Sequence, residues 1–348
     1  MVLMGQANRQ LPKVREISEH AGVSRATVDR VINKRPGVQA HTRRHVLSVI
    51  DELTCQRTGA TADTAEDLLH LDFIIPDHGN AFLLEQAHQL QSYAQQLGTV
   101  SLSIHHPDTA SEDEIVAVLQ RIAPTTQAVG LIGLDSRKVR EAVRKLGSRD
   151  IPVVTLASDI RNVPRTAYVG IDNHAAGRLA GYLTGRMLNR PKGKIGLVLG
   201  SRAYFGHEER EMGFRSILRE QFPTLRIVEE CEVQENADLA YREVSKILSV
   251  HPDLDAIYCI GAGQSGVAKA LIDCGCGASV MFIGHGLSTD TRNHLVNGVM
   301  DAIIEESAAD EARLAIECLV AALRHSGDIN PTAIPIHAIF RENLPAET

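Results

Sequence analysis

The chain lacks an apolar run of about eighteen residues, the length that a membrane-spanning helix needs. The first five residues already lead into a polar stretch, a pattern that does not match a secretory signal peptide. Low-complexity tracts and tandem repeats are missing as well. These absences predict a cytoplasmic protein with no membrane span.

Cysteine is scarce, and the motifs of common catalytic sites are missing. Of six cysteines, only Cys274 and Cys276 are close together, and a structural zinc site would need a second such pair. There is no P-loop, and the segment at 263–267 lacks the second glycine of a nucleophile elbow. We therefore expect reduced thiols, no catalytic residues, no metal and no cofactor.

Charge is unevenly distributed along the 348 residues. The first 60 positions hold ten basic and five acidic side chains, a net charge of +5, although the whole chain carries −7. The remaining 288 residues, with 26 basic and 38 acidic side chains, carry −12. A basic end on an acidic body is expected of a protein that docks that end on nucleic-acid phosphates.

The first 53 residues predict three short helices around one small core, the third helix over 42–53. Gly22 permits the left-handed backbone that ends the first helix, and Ser24 can cap the second. In the second helix Val28 and Val31 share an apolar face, which leaves the opposite face polar. A first helix that ends at glycine, followed by a capped second helix, is typical of a helix-turn-helix.

The segments A-G-V-S-R-A-T-V-D-R-V-I-N at 21–33 and V-Q-A-H-T-R at 38–43 resemble the head of the lactose repressor / galactose repressor family of bacterial transcription regulators. The resemblance implies that the second helix enters the major groove of double-stranded operator DNA. The residues that it assigns to base edges are Arg25, Ala26 and Arg30, with Arg30 facing a guanine, and those that it assigns to phosphates are Ser24, Thr27, Asn33 and Thr42.

The head departs from the family pattern at Asp29, where relatives usually carry serine. The carboxylate either pairs with Arg25 or Arg30, or takes part in base choice by accepting from a cytosine amino group. In the linker, Thr64 falls where the family places a leucine that enters the minor groove, and Gly59 weakens any hinge helix. We expect a hinge that folds poorly or bends DNA less.

From residue 69 onward, apolar β-branched runs alternate with amphipathic helical stretches. Continuous apolar runs predict buried parallel strands, and the alternation predicts sheets covered by helices on both faces. The predicted strands are 71–76, 100–105, 128–133, 152–156, 167–171, 194–199, 226–231, 256–260, 280–284 and 298–304. The length suffices for two such α/β lobes.

The segments I-I-P-D-H-G-N-A-F, P-V-V-T-L-A-S-D, Y-V-G-I-D-N-H-A-A-G and G-H-E-E-R-E-M-G-F resemble the two-lobed, type I periplasmic-binding-protein-like fold. The same repressor family uses this fold for effectors, and the likeness extends over about 71–339. In that fold a small ligand lies between the lobes at the carboxyl ends of the strands. The effector contacts that the resemblance implies are Asp77, Asn80, Phe82, Asp135, Ser158, Asp159 and Arg210.

The distal half of the expected pocket departs from that pattern. Two acidic positions are missing after the strands at 256–260 and 280–284, where the chain offers Gln264 and His285. Near the last crossover, Glu306 stands where relatives often carry glutamine. These replacements predict a polyhydroxylated effector other than ribose or a simple hexose. A polyol, a cyclitol, an amine-bearing sugar and a ligand with its own charge all stay open.

Two other functions compete with that of a DNA-binding regulator. Residues 261–266 match G-x-G-x-x-G, which is typical of a dinucleotide-binding enzyme. However, the next strand ends in Gly284-His285-Gly286 and lacks the acid that would hold the ribose. The second alternative, a sugar or polyol receptor without a DNA function, would bind ligand but show no salt-dependent affinity for DNA.

The sequence predicts an all-α DNA-binding head at 1–55, a linker at 56–68 and an α/β effector and dimerisation domain at 69–348. The expected lobe 1 comprises about 69–163 and 290–325, and lobe 2 about 164–289 and 326–345. The family resemblance implies a homodimer on a pseudo-palindromic operator, in which a small effector shifts the spacing of the heads. The predicted function is regulation, by repression, of carbohydrate or polyol uptake and catabolism genes.

Overall fold

A computed structural model gives the structure of the chain. It describes residues 13–32, 35, 38, 42–43, 45–46, 49, 68–76, 80–107, 111–325 and 333–346. The contacts divide the chain into two compact units, a head unit of Met1–Leu68 with Arg324–Gly327 and an effector unit of Leu69–Leu323 with Asp328–Thr348. The predicted linker, including Gly59 and Thr64, lies outside the described residues except for Leu68. Its boundaries stay a prediction.

The head unit contains helices α1 (Val14–Ala21) and α2 (Arg25–Ile32). α1 ends at Gly22, whose φ of 63° is left-handed. Ser24 precedes α2, and its Oγ accepts the backbone N–H of Thr27 at 3.2 Å. The buried core of this unit comprises Ile17, Ala21, Val28, Val31, Val46 and Val49. The predicted helix-turn-helix is thereby confirmed.

The first sheet of the effector unit consists of five parallel strands. These are β1 (Leu69–Ile74), β2 (Val100–His105), β3 (Ala128–Leu131), β4 (Val153–Leu156) and β5 (Ala167–Val169), in the spatial order β2-β1-β3-β4-β5. The helices between them are α3 (Ala81–Leu97), α4 (Glu112–Ile122) and α5 (Arg137–Gly147). β3 and β4 are buried throughout, as expected for parallel strands covered on both faces.

The second sheet has the order β11-β10-β9-β8-β6-β7, with only β11 antiparallel among the described strands. Its strands are β6 (Gly193–Leu199), β7 (Leu225–Glu232), β8 (Ala256–Ile260), β9 (Met281–His285), β10 (Ala302–Glu305) and β11 (His337–Ile339). The accompanying helices are α6 (Asn173–Leu188), α7 (Phe205–Gln221), α8 (Ala237–Val250), α9 (Gln264–Asp273), α10 (Thr289–Val296) and α11 (Ala308–Arg324), and a 3-10 turn follows at Arg341–Asn343. No helix within the described residues is long and apolar enough to cross a membrane.

The strand order corrects the predicted lobe boundaries in two places. β5, predicted in lobe 2, pairs with β4 and belongs to lobe 1. β10, predicted in lobe 1, pairs with β9 and belongs to lobe 2. α11 does return to lobe 1, where Tyr93 donates a hydrogen bond to Glu317 at 2.9 Å. The prediction failed because buried parallel strands of both sheets have the same apolar pattern, which does not reveal the sheet that a strand joins.

Glycines allow α6 and α7 to pack very closely. A Cβ atom at Gly177 of α6 would lie 1.9 Å from the carbonyl oxygen of Arg210. A Cβ atom at Gly213 of α7 would lie 2.0 Å from the carbonyl oxygen of His174. Side chains at these positions would push the helices apart, so the two glycines fix the position of the Arg210 backbone.

A disulfide joins Cys274 and Cys276 in the turn between α9 and β9. The expectation of reduced thiols is therefore wrong for this pair. Gly275, with a left-handed φ of 71°, lets the turn bring the two Cα atoms to 5.4 Å, within the range of a disulfide. Cys231, Cys259 and Cys318 are free thiols.

Candidate functional site

The side chains predicted to read DNA lie on the outer face of α2. Ser24, Arg25, Ala26 and Arg30 are exposed, because Val28 on the opposite face is buried in the head core. Thr27, Asp29 and Thr42 are partly exposed, and Asn33 lies outside the described residues. The exposed set combines a cap, two guanidinium groups and a small residue that allows close approach to DNA.

Asp29 forms an ion pair with a residue that the sequence prediction did not include. Nη1 of Arg35 donates to Oδ2 of Asp29 at 3.2 Å. The backbone oxygen of Arg35 in turn accepts a hydrogen bond from Nη2 of Arg43 at 2.9 Å. The carboxylate thus restrains an arginine beyond the end of α2, where the i,i+4 rule for helices does not apply.

The effector unit contains a cleft with about 600 Å³ of empty space, open solvent included. It lies where strands of both sheets reach their carboxyl ends, as the fold predicts. The predicted effector residues in its lining are Asn80, Phe82, Ser158, Arg210, Gln264, His285 and Glu306. Asp77 lies outside the described residues.

Arg210 joins three elements at the floor of the cleft. Its Nε donates to Oδ1 of Asn173 at 2.6 Å, and its Nη2 donates to Oε1 of Glu306 at 2.8 Å. All three side chains are buried. Asn173 begins α6, Arg210 lies in α7, and Glu306 follows β10, so one guanidinium group ties the second lobe to a crossover.

The carboxyl group of Glu311 lies next to that of Glu306. Glu311 is completely buried in α11. Burial, and then the neighbouring carboxylate of Glu306, raise the pKa of Glu311 well above its ordinary value. The protonated, neutral form of Glu311 is therefore favoured beside Glu306.

Asp135 and Asp159, both predicted to contact effector, lie outside the cleft lining. Asp135 accepts from Arg161 at 2.6 Å and also from Arg140. Although burial alone would raise its pKa, these hydrogen bonds lower the pKa of Asp135 below the ordinary value. Asp159 accepts from Arg165 at 2.7 Å. The prediction is corrected because nearby arginines already satisfy both carboxylates.

Sequence reasoning missed four polar residues in the cleft lining: Asn173, Tyr204, His207 and Glu235. Asn173 lies within the segment G-I-D-N-H, immediately after a strand, so its position at a strand-to-helix turn was a usable signal. His207 opens α7 in the segment that contains Arg210. Glu235 follows β7 in a loop without any motif, and the sequence gives no signal for it.

The two histidines of the cleft are neutral. Burial, followed by the charge of Arg210, lowers the pKa of His207 to about 3. The same causes, with His207 added, lower the pKa of His285 well below its ordinary value. Nε2 of His285 is 2.7 Å from the hydroxyl of Tyr258, whereas Nδ1 is buried and has no hydrogen-bond partner within the part of the chain that the structure describes. Both imidazoles serve as hydrogen-bonding groups without charge.

The two lobes touch across the cleft through the segment that leads into α7. The N–H of Gly206 donates to Oγ of Ser158 at 3.1 Å. The N–H of Asp135 donates to the carbonyl of Ala203 at 2.9 Å. These contacts join a lobe 1 strand end to the start of the helix that carries Arg210, so the lobes are in a closed arrangement.

Side chains of the protein itself form hydrogen bonds with the backbone of the G-x-G-x-x-G loop at 261–266. The N–H of Ala262 donates to Glu235 at 2.9 Å. The side-chain amide of Gln264 donates to the carbonyls of Gly261 and His285 at 2.7 and 2.6 Å. A Cβ at Gly266 would lie 1.9 Å from the carbonyl of Ala237, so this glycine serves the packing of α9 on α8.

Two family descriptions match the chain. The bacterial regulatory proteins of the lacI family match residues 13–56, and the periplasmic binding protein domain matches residues 71–327. The first match covers the helix-turn-helix, and the second covers most of the unit that contains the cleft.

Individual proteins are similar to this chain over most of its length. The transcriptional regulator MalR of Streptomyces coelicolor is 28% identical over 77% of this chain and 71% of its own length. The ribose operon repressor of Halalkalibacterium halodurans is 28% identical over 70% of each chain. Among solved structures, GanP, a glucose-galactose binding protein from Geobacillus stearothermophilus, is 25% identical, with a TM-score of 0.74 over 80% of this chain and 99% of its own.

Proposed function

The chain belongs to the lacI family of bacterial regulatory proteins, and we propose that it acts as a cytoplasmic homodimer that represses carbohydrate or polyol uptake and catabolism genes. As a member of this family it is a sequence-specific DNA-binding transcriptional regulator that responds to a sugar-like effector. Two heads would contact two half-sites of a pseudo-palindrome, because one helix reads only a few base pairs.

The observation that carries this proposal is the capped, outward-facing helix α2. Arg25, Ala26 and Arg30 are exposed on it, and they would contact base edges in the major groove. The residues proposed to position phosphates are Ser24, Thr27, Asn33 and Thr42. Asp29, tied to Arg35, would act by orienting an arginine at the DNA surface.

The cleft is the proposed effector site. Its contacts would come from Asn80, Phe82, Ser158, Arg210, Gln264, His285 and Glu306. Phe82 offers an aromatic face for a sugar ring, and the amide, hydroxyl and carboxyl groups suit hydroxyls, which both donate and accept. A ligand that favours the closed lobes would shift the population of head arrangements and so change operator affinity.

We also propose that the protein is not a dinucleotide-dependent enzyme. A pyrophosphate at the 261–266 loop would need free backbone N–H donors. The N–H of Ala262 is already bonded to Glu235, whose carboxylate would repel a phosphate. A sugar receptor without a DNA function is disfavoured by the matched lacI-family head.

The test is selection of bound sequences from a random duplex-DNA library by the full-length protein at near-physiological salt. We expect a palindrome with fixed half-site spacing. Arg30→Ala should lose discrimination at one base pair of each half-site by about 1–3 kcal/mol. The control Arg121→Ala removes an equal charge from an exposed position on α4 and should leave the selected motif unchanged.

Enrichment of no motif, with or without added sugars and polyols, would contradict the proposal. A motif equally preferred by the Arg30→Ala variant would refute the assigned role of Arg30 alone.

A further inference from the structure

Glu235 occupies a strained position at the end of β7. Both Gln234 and Glu235 have left-handed backbones, with φ of 50° and 57°. Non-glycine residues rarely adopt this conformation, and two in succession persist only where the surroundings hold them. The turn points the Glu235 side chain into the cleft, where it lines both the main cavity and an adjoining polar one.

The carboxyl group of Glu235 is buried with one oxygen unsatisfied. Oε2 accepts the N–H of Ala262 at 2.9 Å and the side-chain amide of Asn80, from the opposite lobe, at 3.3 Å. Oε1 is buried and has no hydrogen-bond partner among the described residues. A buried carboxylate oxygen without a donor is costly, and Glu235 lines the cavity, so a ligand that reaches this carboxyl group can supply the donor.

Glycines at two strand ends leave room for this oxygen. A Cβ atom at Gly200, after β6, would lie 1.5 Å from Oε1 of Glu235. A Cβ atom at Gly261, after β8, would lie 2.7 Å from the same oxygen. The backbone on both sides is therefore shaped around the carboxyl group, which argues against an incidental side-chain position.

The cleft contains more carboxyl groups than cationic ones. Among the described lining residues, Arg210 is the one side chain with a fixed positive charge, and Glu306 already pairs with it at 2.8 Å. Glu235 faces His207, which is neutral and whose Nδ1 lies 3.7 Å from Oε1. Asp290 lines the adjoining cavity. An ionised Glu235 thus lacks a cation of its own, although buried charges are normally paired.

We propose that the effector is a polyhydroxylated compound with a protonated amine, of the amino-sugar or aminocyclitol class, and that its ammonium group donates to Oε1 of Glu235. This inference rests on the proposed function, because it names the ligand class of the same cleft. The ammonium supplies both the missing hydrogen bond and the missing positive charge.

The proposed pairing of the ligand's ammonium group with Glu235 makes ligand affinity depend on pH. Burial raises the pKa of Glu235 to about 7, although the Ala262 N–H, Arg210 and Asn80 oppose this. The other titratable groups around it, His207, Tyr204 and Cys259, do not change charge between pH 5.5 and 7, because burial lowers the pKa of the histidine and raises those of the other two. An ammonium ligand needs the carboxylate, so its affinity rises about tenfold over this range.

The experiment is isothermal titration calorimetry of the full-length protein with three matched pairs at pH 7.0 and 5.5. The pairs are D-glucosamine with D-glucose, D-galactosamine with D-galactose, and D-mannosamine with D-mannose. We expect at least one amino sugar to bind about tenfold more tightly than its neutral partner at pH 7.0, with the preference reduced at pH 5.5. Glu235→Gln, which keeps the size and removes the charge, should abolish the preference.

The matched control is Glu229→Gln, an exposed change on β7, the strand that precedes Glu235, which should keep the preference. The inference is overturned if neutral sugars bind as tightly as their amino partners, if none of the amino sugars binds, or if Glu235→Gln retains the preference. The operator selection described above is run on the same protein. If any of these outcomes occurs while the operator motif is normal, the amine inference is refuted and the proposed function stands.

Discussion

Glu235 couples the protonation of one buried carboxyl group to the stability of the fold. Burial raises its pKa from an ordinary 4.5 to about 7 in the folded chain. The folded state therefore binds a proton more tightly than the unfolded state between these values. By linkage, the contribution of this group to stability falls as pH rises from about 4.5 to 7 and stays low above that range.

Glu235→Gln should remove this dependence, because glutamine does not titrate. Relative to the wild type, the variant should gain about 2–3 kcal/mol in free energy of unfolding between pH 5 and pH 8. Urea denaturation of both proteins at the two pH values measures the change. Glu229→Gln, at an exposed position of the preceding strand β7, should show no such gain. A constant difference between wild type and Glu235→Gln at both pH values would contradict the prediction.

At the residue scale, the sequence predicted side chains that stand in recognisable segments and missed those that depend on tertiary environment. Arg210 and Asn80 lie in segments that resemble a known fold, and both line the cleft. Asp135 stands at a strand end, yet Arg161, far along the chain, satisfies its carboxylate. Glu235 is placed by a left-handed turn and by glycines from two other strands, a combination that no local pattern encodes.

At the scale of elements, the alternation of apolar runs and amphipathic helices was enough to predict two α/β lobes. The central parallel strands β3, β4 and β8 are buried throughout, so their apolar runs are continuous and easy to recognise. The sheet that a strand joins depends on where the chain crosses between lobes, which local periodicity does not record. For this reason β10 was predicted correctly as a strand but in the wrong lobe.

The packing of α6 on α7 makes a prediction at this scale. Gly177→Ala would place a Cβ atom 1.9 Å from the backbone oxygen of Arg210, and backbone cannot move aside as a flexible side chain can. We expect a loss of about 1–3 kcal/mol in free energy of unfolding, measured by urea denaturation. Gly277→Ala is the matched control, because its Cβ would meet no atom closer than 3.9 Å. Equal stability of the two variants would refute the packing argument.

For the effector unit as a whole, several of the contacts between the lobes converge on one short segment. Residues 203–206 meet lobe 1 through two backbone N–H bonds, to Ser158 and from Asp135. The guanidinium of Arg161 lies 4.1 Å from the ring centre of Phe205, and its Nη2 lies 3.7 Å from Glu208. Since Arg210, the arginine proposed to bind effector, lies just beyond this segment, we expect closure of the lobes and placement of Arg210 to be parts of one movement.

Arg161→Ala should therefore loosen the closed arrangement without unfolding either lobe. It removes the hydrogen bond to Asp135 within lobe 1, as well as the cation–π contact and the pairing with Glu208 between the lobes. We therefore expect amide exchange over 203–208 to accelerate about threefold to tenfold. Hydrogen–deuterium exchange with mass spectrometry measures this, and exchange in β6 should stay slow. The control Arg165→Ala breaks an ion pair with Asp159 that lies wholly within lobe 1. Equal acceleration in both variants would mean that the loop around Arg161 is merely destabilised, because only a contact between lobes distinguishes the two arginines.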